Sequence, residues 1–233
     1  MRKFELVNNE IYHLCNRSVE GKKIFIKEQD CVYFLKTLFA VNTTAQLPVN
    51  WRRDLFTVRM GEILNNGKPL VKFYALILMP DHFHVLVEQL EENGISRVMQ
   101  RTCNSFAKYF NTKYNRKGCL FQGRFKGVPM LFDNQASHIM TYIHGNALDL
   151  FDLGWREGEI MDWTNAKNFL KEYQWSSLGI FTKSGIVNPL IRKFIDDGFG
   201  GTYHSKPKDF LNEIKHWSMR AQENFDSEIC FLE

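Results

Sequence analysis

The chain has 233 residues, 44% hydrophobic and 14% aromatic with 20 phenylalanines, which excludes a disordered polymer and supplies enough apolar side chains for a full core. A formal net charge of +4 is too mild to name a polyanionic partner by itself, so the placement of the charges must carry that argument. Cys15, Cys31, Cys103, Cys119 and Cys230 show no Cys-x-x-Cys spacing and read as reduced thiols. With no secretory stretch at Met1 to Leu6 and no run of membrane-spanning length, a cytoplasmic protein without membrane attachment is expected.

Ile11-Tyr12-His13-Leu14-Cys15-Asn16 reads as a first strand. Phe25 to Asn42 predicts a helix, with Cys31, Phe34, Leu35, Leu38 and Phe39 at helical spacing. From Thr43 to Pro69 the breakers Leu47-Pro48 and Asn65-Asn66-Gly67-Lys68-Pro69 predict a long connection holding one short strand around Leu55 to Met60.

A hairpin follows. Phe73 to Met79 is apolar, Pro80-Asp81 supplies a turn, and His82-Phe83-His84-Val85-Leu86-Val87 returns. Side chains at i and i+2 of a strand leave the same face, so His82 and His84 point together while Phe83 enters a core. Two imidazoles converging from rigid backbone suit a divalent cation, and a polar pair opening a buried strand needs a partner. The plain alternative is a pair of surface histidines on a half-exposed strand. Asp81, one residue before the pair, is expected on the opposite face.

Asn93-Gly94 breaks the chain before a second helix, from about Ile95 to Tyr114, whose stripe Ile95, Val98, Met99, Thr102, Cys103, Phe106, Tyr109 and Phe110 faces inward. Arg97, Arg101, Asn104 and Lys108 stack along another side. Every charged residue from Arg97 to Lys126 is basic, whereas acidic residues gather at Glu88 to Glu92 and after Glu223. Such a polarised stretch, with Tyr114, Phe121 and Phe125 interleaved for base stacking, fits a nucleic-acid backbone; the alternative is an ordinary solvated helix face.

Gly118 closes this helix, and Leu120 to Met130 reads as a loop and a strand. A third helix is predicted over Asn134 to Gly145, with Ile139 and Ile143 inward and Tyr142 and Asn146 sharing a face near its end. Taken alone, Tyr142 is a tyrosine packing at a helix terminus. The order β-α-β-β-α-β-α predicts an α+β fold, a ferredoxin-like antiparallel sheet with helices on one face. Beyond about Asp149 shorter helices and the break Gly198-Phe199-Gly200-Gly201 predict a helical C-terminal extension, so that residues 1–150 form one domain and 151–233 pack on it.

Together these pieces resemble the HUH single-tyrosine transposases, most closely their REP-associated branch. The matching stretches are Tyr12-His13-Leu14-Cys15-Asn16-Arg17, Leu78-Met79-Pro80-Asp81-His82-Phe83-His84-Val85-Leu86-Val87, and Gly118-Cys119-Leu120-Phe121-Gln122-Gly123-Arg124-Phe125-Lys126. Tyr142-Ile143-His144-Gly145-Asn146-Ala147 and Trp175-Ser176-Ser177-Leu178 complete the set, with Ala147 where the family usually carries proline.

The resemblance implies that residues 1–150 are a catalytic domain and that Tyr142 is the nucleophile. It further implies that His82, His84 and Asn146 hold a divalent metal, Mg2+ or Mn2+. The substrate would be single-stranded or hairpin DNA, cut and rejoined through a 5′-phosphotyrosine, and a homodimer is allowed. Arg97, Arg101, Lys108, Arg116, Lys117, Arg124 and Lys126 are expected on DNA phosphates. One rival is a non-cleaving nucleic-acid-binding protein of the same fold. A second, a metal-dependent hydrolase, would need a carboxylate beside the histidines.

Overall fold

Short apolar runs build four antiparallel strands, β1 (Ile11–Arg17), β2 (Val71–Leu78), β3 (His82–Gln89) and β4 (Lys126–Pro129), in the spatial order β2-β3-β1-β4. The computed structural model describes residues 4–55, 67–131, 134–157, 160, 162–199 and 207–219. β3 runs next to both β2 and β1, and Val85, Leu86 and Val87 are all buried, which is why its sequence is almost continuously apolar. The two crossover helices, α1 (Glu28–Ala40) and α3 (Gly94–Lys113), lie against one face and against each other. There Phe34 meets Phe83 at 4.7 Å and Phe106 at 5.3 Å between ring centroids. This is the predicted ferredoxin-like arrangement. A short α2 (Trp51–Asp54) lies in the connection after α1, and the strand expected around Leu55 to Met60 falls, beyond Leu55, outside the described residues.

Local chemistry trims the predicted helices. α1 starts later than Phe25 because the Asp30 carboxylate accepts the amides of Lys27 (2.8 Å) and Ile26 (3.2 Å), capping the first turn. It stops before Asn42, whose side-chain oxygen instead accepts the amides of Leu70 (3.0 Å) and Val71 (2.9 Å) and so pins the start of β2. α3 starts at Gly94, after Asn93 in the left-handed region (φ 58°), and stops at Lys113.

Asp30 is also where the basic stretch finds a counter-charge that the linear sequence hides. Lys113 Nζ lies 2.6 Å from its carboxylate, and the hydroxyls of Tyr109 (3.1 Å) and Tyr114 (2.7 Å) donate to it. Burial alone would raise the Asp30 carboxyl, but Lys113, the Lys27 amide and the two tyrosines outweigh it and hold it below the ordinary value. A carboxyl depressed on folding contributes stability that is present above its unfolded pKa and lost as pH falls through the folded one. Asp30→Ala should therefore cost on the order of 3 kcal/mol at neutral pH and less in acid. Thermal unfolding of the two proteins at pH 7 and pH 3 checks this; an equal gap at both values would contradict it.

The second face of the sheet is covered by the later part of the chain. The third predicted helix, α4 (Asn134–Gly145), lies on β2 and β3, and α8 (Pro207–Met219) packs on α4. Between them in sequence come α5 (Trp163–Glu172), α6 (Leu178–Thr182) and α7 (Pro189–Phe194). Just before α6, Ser177 donates its amide to Leu76 O (2.9 Å) and its hydroxyl accepts the Leu76 amide (3.0 Å). That hydroxyl also meets His144 Nε2 at 2.8 Å, tying α4 to the edge of the sheet. Among the described residues no helix is long and apolar enough to cross a membrane, and Cys15, Cys31, Cys103 and Cys119 form no disulfide.

Candidate active site

The strand register assembles the site. Arg17 stands opposite His82, Cys15 opposite His84, and Lys126 opposite Cys15, so all five leave the same face at one end of the sheet. They line a cleft of about 300 Å³ together with Asn16, Gln122, Gly123 and Arg124. His82 and His84 do share a face, their rings 5.0 Å apart and nearly perpendicular. They are not half-exposed: only 6% and 3% of their surfaces are open, because α4 and α8 cover this side.

Each histidine is gripped by its Nδ1. Asp81 Oδ1 lies 2.6 Å from His82 Nδ1, and Asp81 Oδ2 lies 3.3 Å from Arg17 Nε. The expectation that Asp81 turns away from the pair is therefore wrong. Asp81 sits in the turn, where the alternation of a strand does not apply, and its carboxylate folds back onto the first histidine. Burial alone would raise its carboxyl, but the His82 hydrogen bond and the His82 and Arg17 charges hold it below its ordinary value. An ionised carboxylate only accepts, so His82 Nδ1 carries a proton and a neutral His82 keeps its lone pair on Nε2.

His84 Nδ1 is 3.0 Å from Nε2 of His13, a buried residue of β1. Burial pushes His13 down to about 3. Burial, and then the charges of His13, His82, Arg156 and Arg17, lower His84 well below the ordinary histidine value. Burial of both rings thus favours the neutral imidazole, which is the form that ligates metals. Among the described residues no three His, Cys, Asp or Glu side chains group as a cation cage.

Tyr142 lies beside these rings, 5.5 Å from His84 and 5.6 Å from His13 between centroids. It is 2% exposed, with Trp217 of α8 at 5.9 Å on another side. From Ile139 onward the expected two-sided helix is buried all round: Ile139, Tyr142, Ile143 and Asn146 are all enclosed, since α4 lies between the sheet and α8, while His138 in its first half is exposed. Asn146 does stand one turn beyond Tyr142, but both ends of its amide are engaged. Its Nδ2 donates to Tyr142 O (2.7 Å), and its Oδ1 accepts from Arg156 Nη2 (2.9 Å). Arg156 also pairs with Asp149 through two contacts of 2.9 Å and lies over the Tyr142 ring at 5.8 Å.

The basic residues divide between two places. Arg124 and Lys126 line the cleft. Arg97, Arg101 and Lys108 ride on α3, against the other face of the sheet. Burial and then the adjacent Arg97 lower the Arg101 guanidinium, as expected of like charges packed together. Arg116 clamps its own loop, reaching Asn111 Oδ1 (3.1 Å) and Cys119 O (2.7 Å), while Lys117 is exposed. Base stacking is not what Tyr114 and Phe121 are placed for: the first bonds to Asp30 and packs on Phe110, and the second is buried.

Four residues of this site were not singled out by spacing or residue type. His13 carried a signal, the alternation of β1 that sets it opposite Tyr12 and Leu14. Arg17 and Asp81 depend on register and turn geometry, and nothing local marks Arg156, which reaches Asn146 across an intervening 3-10 turn (Asn146–Leu150).

Residues 48–146 match the family model described as "Transposase IS200 like". That span runs through β2, β3, α3 and β4 to Asn146, so it holds both histidines of the pair and Tyr142 but not His13, Arg17 or Arg156. A solved structure described as a REP-associated tyrosine transposase bound to a REP hairpin is similar at 12% identity and a TM-score of 0.41, over 64% of this chain and 73% of that one. No curated protein sequence matches the chain.

Proposed function

We propose, from the match of residues 48–146 to the IS200-like transposase family model, that the chain cuts and rejoins single-stranded or hairpin DNA with Tyr142 as nucleophile. The observation that carries the reading is the packing of the Tyr142 ring 5.5 Å from His84, beside a cleft lined by Arg17, Arg124 and Lys126. Residues 1–150 act as the catalytic unit, and helices α5 to α8 pack on it.

The donor set fits a divalent cation, since His82 has its Nδ1 engaged by a carboxylate and so offers Nε2. His82 and His84 would hold the ion, with Asn146 joining once Arg156 releases its oxygen; imidazole ligands favour Mn2+ over the harder Mg2+. Bound there, the ion supplies Lewis-acid polarisation of a phosphate oxygen. The protein does the rest. Arg17, Arg124 and Lys126 offset the phosphate charge that repels nucleophiles. Tyr142 Oη loses its proton and attacks phosphorus, the P–O3′ bond breaks, and the departing 3′ oxygen takes up a proton. Phenolate leaves more readily than an alkoxide, so a 3′-hydroxyl can reverse the step and rejoin the strand. Because Tyr142 is enclosed, its helix has to move for DNA to reach it.

The enclosed tyrosine and the occupied Asn146 oxygen favour one second reading, a nucleic-acid-binding protein that does not cleave. End-labelled single strands from the flanks of the protein's own gene, incubated with Mn2+, separate the two. Shortened products with free 3′-hydroxyls support the transposase, and binding without any product supports the alternative.

The α3 residues Arg97, Arg101 and Lys108 should grip DNA phosphates away from the cleft. Each phosphate contact on a single strand contributes about 0.7 to the log–log salt slope of binding. An Arg97/Arg101/Lys108→Ala variant should therefore show a slope flatter by about two units, and an unchanged slope would remove these residues from the interface.

A further inference from the structure

His13 is a buried imidazole in contact with the histidine pair, and the chemistry above gives it no task. Its position is set by backbone: it lies in β1 opposite Leu86, diagonal to His84 across the ladder, with its Nε2 3.0 Å from His84 Nδ1. Two imidazoles placed nitrogen to nitrogen at this distance share one proton, so one ring donates and the other accepts. The direction decides what His84 offers elsewhere. If His84 donates from Nδ1, its Nε2 keeps a lone pair. If His13 donates, His84 Nε2 carries the proton and cannot ligate. On the neighbouring ring the matter is decided by Asp81, which only accepts.

We infer that His13 is a positioning residue that accepts the Nδ1–H of His84, as Asp81 accepts that of His82, so that both rings offer Nε2 to one divalent cation. Two different side chains, a turn carboxylate and a strand imidazole, thus perform the same task on successive ligands. The assignment rests on the cation-binding part of the proposed function but not on Tyr142 or on DNA.

The test measures Mn2+ binding to the full chain without DNA, from the spectrum of the free ion. His13→Leu removes the acceptor and should weaken Mn2+ by about 10- to 100-fold. His13→Gln keeps an acceptor oxygen and should stay within a few-fold of wild type. Because a buried substitution risks the fold, 15N spectra of wild-type protein loaded with Mg2+ give a second readout, expected to show the His84 proton on Nδ1. Unchanged affinity in His13→Leu, failure of His13→Gln to restore what leucine loses, or a proton on His84 Nε2 would each overturn the assignment. An ion bound equally well by a His82→Ala/His84→Ala variant overturns it together with the proposed cation site. The expected pattern without DNA cleavage supports it and removes only the transposase reading.

Discussion

Tyr142→Phe should abolish DNA cleavage, by roughly a thousand-fold or more, while the protein stays folded. The change removes one oxygen and keeps the ring that packs against His13, His84 and Trp217. Loss of activity would then report chemistry and not packing, and an unchanged melting temperature within a few degrees is the control. The competing tyrosines are otherwise occupied. Tyr109 and Tyr114 bond to Asp30, and the Tyr12 hydroxyl lies 2.8 Å from the Val7 amide. None of them touches the histidine pair in the described structure, whereas Tyr142 packs against His84. Cleavage by the phenylalanine variant at the wild-type rate would refute the role given to this residue.

The second large effect concerns the pair itself. Replacing His82 and His84 together with alanine should abolish metal-supported cleavage and leave DNA binding largely intact, because the phosphate-binding charges lie on Arg124, Lys126 and α3. The variant should also be less stable, by roughly 1–3 kcal/mol, since the buried His13 is left without its partner, whereas the partly exposed Asp81 keeps Arg17. Parallel measurement of binding, cleavage and melting separates these consequences. Normal cleavage would show that the site is elsewhere, and loss of binding in a still-folded variant would show that the histidines grip DNA directly.

What the sequence made legible was local. The hairpin, its two histidines on one face, and the helix Asn134–Gly145 follow from periods of two and 3.6 and from turn residues, which need no knowledge of distant chain. The ferredoxin-like order follows from the succession of those elements. Distant contacts were not legible. Lys113 looked unopposed because Asp30 lies 83 residues away in sequence, and only the packing of α1 on α3 brings them together. The histidine face looked half-open because no local pattern says on which face of the sheet α4 packs, or that α8 closes over it. Asp81 escaped because a turn residue does not obey strand alternation. Asn146 was placed correctly on the helix face, yet its oxygen meets Arg156, a contact made by a chain reversal that no short-range pattern encodes.

The claim that Tyr142 attacks DNA is tested most directly by trapping the covalent product. Wild-type protein incubated with single-stranded DNA and Mn2+, denatured, digested and analysed by mass spectrometry should yield one modified peptide, carrying a 5′-phosphonucleotide on Tyr142. An adduct on any other residue, or cleaved DNA with no adduct at all, would contradict the account.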